Sequence, residues 1–521
     1  MKVEILSSKF VKPSAPTALH LRRYNLSFFD QLAPPAYPGI IFFFPSNGKG
    51  QRARPDVEAG VEVEAKAEAK SQDKNDKEAD EVAVEAEAEV EAEAETKHQG
   101  EVEVEAEAKT KVGAEVETKH QDENAEREAN AEVKVGAEDE SKPEDENARR
   151  MEKLERSLSE TLVRFYPLAG KYIKDELLVD CNDQGVEVSE AKADGPLADI
   201  LHGKPEVEIL DRFAPGPMAM AGSEMSPVAS IQITRFTCGG FAVGMRTIHK
   251  ITDGFTAATF IKEWATASRE GIDKVPNLSF DLPSLFPARD LSSLKPQPRV
   301  KGPRSLVARK FIFTGPAISA LKAKAADPHK HQPSRMLVVM GLIWRVLIHI
   351  SRARQGHLRP SMMSLAMDLR ERTGLKTPKN AFGNLYAHSI ARFAADESNL
   401  ELKCLVDLIR DALKKTMEEY AKAETSEEIF SMLINYYNEI GGDKRGGVDM
   451  YYFTSLGRFL CYEVDFGWGK PAWVTTTSKP VEMVSLMDTK CHEGVEAWVS
   501  LNQEDMTEFQ RHPDIVAFAS P

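Results

Sequence analysis

Asp465-Phe466-Gly467-Trp468-Gly469 and, further upstream, His249-Lys250-Ile251-Thr252-Asp253-Gly254 are the two strings that decide how this chain reads. The pentapeptide is rare: two glycines allow close backbone turns and two aromatic rings supply anchors. His-x-x-x-Asp is weak by itself. The chain has 12 histidines, and the plain alternative is a surface histidine near a helix start. Its setting adds weight. Ser230–Phe236 and Phe241–Ile248 alternate as two strands joined at Cys238-Gly239-Gly240. His249 falls just past the second strand, and Asp253-Gly254 reads as the start of a helix with Phe255, Thr259, Ile261 and Trp264 on or near one face. A strand-to-helix turn can present a side chain into a cleft.

Outward from that turn, strands and helices alternate. Ile40–Phe44 reads as a buried strand, too short to span a bilayer. Leu154, Leu158, Leu162 and Phe165 mark one face of an amphipathic helix. A Pro-, Lys-, Arg- and Ser-rich stretch from Phe286 to Ser305 reads as an exposed crossover. Beyond it come a strand at Val307–Phe313, a helix opened by Pro316, an apolar helix at Arg335–Ile350 and a strand at Ser361–Leu369. Helices follow at 399–422 and 425–440. Strands follow at Met450–Thr454, Leu460–Val464, Trp473–Thr477, Met483–Met487 and Val495–Leu501. This alternation in both halves favours an α/β architecture.

Charge is uneven. Residues 51–150 carry 15 basic and 33 acidic residues, a net of −18 within a chain total of −15, which leaves the rest at +3. A nearly neutral body argues against a nucleic-acid partner. The acidic stretch has no aromatic residue, and two of its strings recur: Glu95-Thr-Lys-His-Gln99 at Glu117–Gln121, and Lys111-Val-Gly-Ala-Glu115 at Lys134–Glu138. Such a segment cannot bury enough apolar surface to offset its ordering entropy. The expectation is a disordered insert over 51–148, either solvated and silent or an element that binds a partner. The five cysteines form no Cys-x-x-Cys pair, which reads as reduced thiols without a metal site. Met1-Lys-Val-Glu-Ile lacks a signal-peptide core, and Phe518-Ala-Ser-Pro521 carries no sorting signal, so a cytoplasmic, monomeric protein without a membrane partner is expected.

Taken in this order, the two motifs resemble those of the BAHD acyltransferases, a plant and fungal family that moves acyl groups from coenzyme A to alcohols or amines. Other strings share the resemblance: Lys12–Thr17, Leu26-Ser27-Phe28-Phe29-Asp30-Gln31-Leu32, Phe165–Lys171, Leu369-Arg370, Gly383-Asn384 and Arg458 through Pro471. Tyr462 to Pro471 looks most like the vinorine-synthase-like branch. The resemblance implies two chloramphenicol-acetyltransferase-like domains with mixed sheets and an active-site channel between them. The first would be residues 1–50 plus 149–290, the second 311–521, with the crossover at 291–310.

A thioester is already activated; what acyl transfer lacks is a deprotonated acceptor. A histidine with a pKa of about 6.5 suits that role. His249 is therefore the expected general base; the resemblance implies direct transfer in a ternary complex from acyl-CoA as co-substrate to a small-molecule alcohol or amine, with no permanently bound cofactor. No Gly-x-Ser-x-Gly elbow signals an acyl-enzyme. Asp253 could polarise His249 as in a triad; the resemblance instead implies an ion pair with Arg370, beside which Asp368 replaces the family's asparagine. Asp465, Phe466, Gly467, Trp468 and Gly469 are expected to be structural. Gly467-x-Gly469-x-x-Ala472 mimics a dinucleotide fingerprint, but β-formers follow where that motif needs a helix. Thr454 matches the family's Thr-x-Trp segment as an oxyanion donor, while Leu456 replaces its tryptophan. For coenzyme A, the candidates are Lys301, Arg304, Arg309 and Lys310, with Ser334 at a helix start. The alternative from another class is a non-catalytic or regulatory relative that uses the acidic insert to bind a partner.

Overall fold

The computed structural model describes residues 1–46, 143–203, 205–216, 225–292, 294, 306–443, 447–479 and 481–520. The expected disordered insert lies almost wholly outside these residues, as do Lys301, Arg304 and most of the crossover. Residues 1–49 and 141–521 form one compact unit.

That unit is α/β and is built on two six-stranded mixed sheets. The first runs in the order Val3–Val11, Val186–Ala193, Ala229–Arg235, Phe241–Thr247, Gly39–Phe44 and Trp473–Thr476. Its one parallel pair joins Val186–Ala193 to Ala229–Arg235. The second runs Leu306–Phe313, Val495–Asn502, Met483–Asp488, Asp449–Ser455, Ser361–Asp368 and Tyr386–Phe393. Two of its pairs are parallel. Four short strands, Arg23–Asn25, Leu178–Asp180, Lys171–Ile173 and Met225–Pro227, make a small third sheet.

Each large sheet buries one face under helices. Leu154, Leu158 and Leu162 of the helix Pro143–Arg164 seal the first core together with Ile261 and Trp264 of the helix Gly254–Glu270. The indole Nε1 of Trp264 donates to Leu154 O and Ser157 Oγ, both at 3.1 Å, which ties the two helices together. Phe255 and Thr259 do not join that buried stripe; Thr256, Phe260 and Ser268 do. The helix Arg335–Gln355 fills the second core and ends at Gly356 in the left-handed conformation. By length and composition it could cross a membrane, yet most of it is buried within this core, and that burial explains why it is apolar nearly all round.

One expected strand is absent. Leu460–Val464 forms 3-10 turns, with Leu460 at φ 46°. The reason is topological. The chain leaves the second sheet after Asp449–Ser455 and must turn sharply to deliver Trp473–Thr476 to the edge of the first sheet, antiparallel to Gly39–Phe44. Short apolar runs do not distinguish a strand from such a turn.

The delivered strand helps hold the halves together. Trp473 stacks on Phe43 at 5.6 Å between ring centroids. The buried Glu496 carboxylate of the second sheet accepts from Trp473 Nε1 at 3.0 Å and Trp498 Nε1 at 2.8 Å. Replacing Trp473 by Phe keeps the ring but withdraws one donor from a buried carboxylate. We expect a loss of about 1–3 kcal/mol, read from the urea unfolding midpoint at unchanged m-value.

Candidate active site

The strand Phe241–Thr247 ends against the segment that precedes Gly39–Phe44. His249 N donates to Ala36 O at 2.8 Å, and Thr252 Oγ1 donates to Ile248 O at 2.7 Å. The turn closes on Asp253, the N-cap of the following helix, whose carboxylate accepts from Thr256 N at 2.8 Å. Local sequence thus suffices to put His249 and Asp253 on one short turn. Their surroundings come from elsewhere in the chain.

Asp253 faces Arg370, which follows the strand Ser361–Asp368. Arg370 Nη1 lies 2.8 Å from Asp253 Oδ2 and 2.7 Å from Asp368 Oδ1. The rest of the guanidinium donates to Ala381 O, Gly383 O and Thr256 Oγ1. Phe255 lies under it, 4.2 Å from ring centroid to Cζ. Leu385 N also donates to Asp253, at 3.1 Å. Burial pushes the Asp253 carboxyl up, but Arg370 and these hydrogen bonds overcome it and hold the group below the usual carboxylate range. Asp253 makes no hydrogen bond to the His249 imidazole. Of the two roles open to it, the geometry matches the ion pair.

The His249 imidazole has a different partner. Its Nδ1 lies 3.2 Å from Asn384 Oδ1. The Asn384 amide is oriented by its other contacts, since Nδ2 faces two groups that only accept: His249 O and Asp30 Oδ1, each at 2.8 Å. Oδ1 is therefore the atom turned to His249, and because a carbonyl cannot donate, Nδ1 carries the proton. Nε2 is left with the lone pair. Burial lowers the His249 pKa below its ordinary value, so the ring is neutral near pH 7.

A cavity of about 100 Å³ opens at this histidine. His249, Asp253, Gly254 and Phe255 line it from the first half; Ala366, Met367, Asp368, Tyr386, Thr454, Ser455, Leu456 and Phe459 line it from the second. Tyr386 brings its ring centroid to 5.7 Å from that of His249. A smaller hollow lined by Leu456, Gly457, Leu460, Cys461, Tyr462, Met487, Asp488 and His492 shares Leu456 with it.

The other sequence candidates are placed as follows. None of Asp465, Phe466, Gly467, Trp468 and Gly469 lines the cavity. Asp465 Oδ1 accepts from Gly467 N at 2.8 Å and Gly469 N at 2.9 Å, closing a turn that both glycines enter at positive φ. Phe466 is fully buried against Phe44 and Trp264, and its carbonyl accepts from Ser268 Oγ on the helix Gly254–Glu270. The pentapeptide thus braces the far end of the helix that Asp253 caps. Arg309 pairs with Glu206 at 3.2 Å, and Lys310 lies over the Trp473 ring at 4.3 Å; neither lines the cavity. Ser334 caps the helix Arg335–Gln355, and its neighbour Arg335 pairs with Asp488, a wall of the smaller hollow. Sequence reading missed the roles of Asn384 and Tyr386. Gly383-Asn384 stood out as a dipeptide, but no local pattern says that an amide 135 positions away meets a histidine.

Arg370 is nearly inaccessible to solvent, so removing it strands Asp253 and Asp368 without a counter-charge. Arg370→Met should cost about 3–5 kcal/mol, measured by urea denaturation at pH 7.

Comparison with known proteins gives the family and the fold. The family described as Transferase family matches residues 139–516. The chain is similar to an acetyl-CoA-benzylalcohol acetyltransferase of Clarkia breweri, 34% identical over 71% of this chain and 88% of the relative. Its fold is similar to that of vinorine synthase, with a TM-score of 0.70 at 24% identity, covering 100% of this chain and 99% of the other. The fold of F. sporotrichioides TRI101, solved with coenzyme A and T-2, is also similar, with a TM-score of 0.61 at 14% identity over 96% and 99% of the two chains. The chain belongs to the BAHD acyltransferases and is an acyl-CoA-dependent acyltransferase.

Proposed function

We propose that this protein transfers an acetyl group from acetyl-CoA directly to a hydroxyl of a small specialised metabolite, with His249 as general base. The observation that carries the reading is the His249 imidazole, its Nδ1 against the Asn384 carbonyl oxygen, at a cavity walled by both halves. Acetyl as the donor rests on the relative named above. In the step, His249 Nε2 takes the proton of the acceptor hydroxyl, and the oxygen attacks the thioester carbonyl carbon. The tetrahedral intermediate collapses, the C–S bond breaks, and the sulfur leaves as a thiol with the proton held by the imidazolium. The products are an ester and free coenzyme A. Thr454 lines the same cavity, and its hydroxyl is the side-chain donor we assign to the developing oxyanion. Leu456 has no polar group to assist it. We place the coenzyme along the line from His249 past Leu456 to the helix start at Ser334, where a helix N-terminus suits a phosphate. A monomer in the cytoplasm is our expectation; the five unpaired cysteines bear on the compartment alone, as reduced thiols.

Two outcomes test this reading. Purified protein given acetyl-CoA and a panel of alcohols and amines should release free thiol only when a suitable acceptor is present. His249→Ala should lower that rate by about 10²–10⁴-fold while the protein stays folded. Thiol release that ignores the acceptor, or survives the substitution, rejects the base. Separately, burial holds the imidazole pKa below its ordinary value of 6.5, and the base acts when unprotonated. The acid limb of kcat/KM should therefore fall below pH 6.5; a limb above that value would contradict the assignment.

A further inference from the structure

The carboxylate behind Asn384 has no part in the mechanism above. Asp30 sits at the N-terminal end of the short helix Phe28–Leu32 and is fully buried. We propose that Asp30 is a positioning residue for His249: its charged carboxylate clamps the Asn384 amide in the orientation that keeps the histidine proton on Nδ1 and leaves Nε2 free. The inference rests on the reading of His249 as the base.

Four donors converge on this carboxylate. Oδ1 accepts from Asn384 Nδ2 at 2.8 Å and from Asn384 N at 3.0 Å. Oδ2 accepts from Ser27 N at 2.9 Å and Ser27 Oγ at 2.8 Å. Both oxygens are thus turned toward donors. A protonated Asp30, or an asparagine in its place, would confront one of those donors with a donor of its own. The clamp holds the Asn384 backbone and side chain together, leaving the amide no freedom to turn. Without it, a single contact, from Nδ2 to His249 O, opposes a flip that would turn the amide nitrogen toward Nδ1. Such a flip presents a donor to Nδ1, and the ring would then shed the Nδ1 proton and carry one on Nε2, the atom the reaction needs empty.

The energetics separate this role from that of an ordinary helix cap. Burial raises the Asp30 carboxyl from 3.8 to about 6, against the pull of its four hydrogen bonds. A folded-state value above the unfolded one gives a contribution present in full below pH 3.8 and lost as pH rises through about 6. At neutral pH the ionised carboxylate therefore favours the fold less than its protonated form would. Lys250 is a cation within electrostatic reach, and its Nζ is taken by Gln31 O at 2.8 Å; Tyr24, Tyr172 and Tyr386 are further titratable groups near the carboxylate among the described residues. A charge held in this setting at a cost in stability fits a group retained for what it orients.

The test reads the tautomer directly. The full chain is labelled with ¹⁵N-histidine and the imidazole nitrogens are observed near pH 7, with His249 assigned by its loss in His249→Gln. We expect the wild-type ring to carry its proton on Nδ1. We expect Asp30→Asn to shift it toward a mixture of tautomers, whereas Ser27→Ala, which removes a hydroxyl contact but leaves the Asn384 clamp, should retain the wild-type pattern. A wild-type ring protonated on Nε2 overturns the proposal without any variant, and so does an unchanged pattern in folded Asp30→Asn. This readout needs no substrate, so a failure to find acyl transfer leaves it intact. In the thiol-release assay, Asp30→Asn should lower kcat roughly 10- to 100-fold at unchanged KM for acetyl-CoA. The same change in an Asn384→Ala background should cost little more. Fully additive losses would mean that Asp30 acts on the fold alone, and would sink the proposal.

Discussion

The buried pair of Asp253 and Arg370 is the interaction on which the site depends. Asp253 belongs to the first half and caps its central helix; Arg370 belongs to the second and follows one of its strands. Between them they gather the carbonyls of Ala381 and Gly383, the amide of Leu385 and the hydroxyl of Thr256. The segment so fixed carries Asn384, and Asn384 fixes His249. A buried ion pair of this kind adds little net stability over a well-packed apolar substitute. What it supplies here is geometry, since every donor of the guanidinium has a prescribed direction.

Both sequence motifs serve one element, the helix Gly254–Glu270. Its first turn is set by Asp253, which places the histidine turn at the cavity. Its last turns are held by the pentapeptide, through Phe466 in the core and the bond from Ser268 to the Phe466 carbonyl. The pentapeptide then feeds Trp473–Thr476 into the first sheet. A segment distant from the cavity therefore locates the His249 turn by bracing the opposite end of the same rigid rod. Preorganisation of this kind matters because a general base works only within hydrogen-bond reach of the proton it removes.

Much of this was legible in the sequence, and the parts that were not share a cause. Phe241–Thr247 and the two helices Leu402–Ala421 and Ser426–Asp443 follow hydrophobic periodicity, and Gly39–Phe44 shows as a continuous apolar run. Leu460–Val464 misled because a short, mostly apolar stretch, broken only by Glu463, satisfies a strand and a partly buried turn equally. Phe255 misled because an aromatic residue in a first helical turn looks like core, whereas it lines the cavity under Arg370. Arg309 and Lys310 are coenzyme A candidates by charge and by resemblance, and the structure adds the contacts each makes. Their partners, Glu206 and the Trp473 ring, lie far away in the chain and are invisible to composition.

The sequence by itself determined the family, the α/β alternation, and the turn that carries His249 and Asp253, because those depend on neighbours within a few residues. It also marked Asp30 and Asn384 as parts of recognisable strings without giving either a purpose. The resemblance implied that Asp253 pairs with Arg370, and the tertiary structure carries that pair; only the tertiary structure decided that Asn384 holds Nδ1 and that Asp30 stands behind it. Those choices are made by hydrogen-bond directions between segments separated by 117, 135 and 354 positions. No local propensity encodes such directions; they exist only once the two sheets have packed.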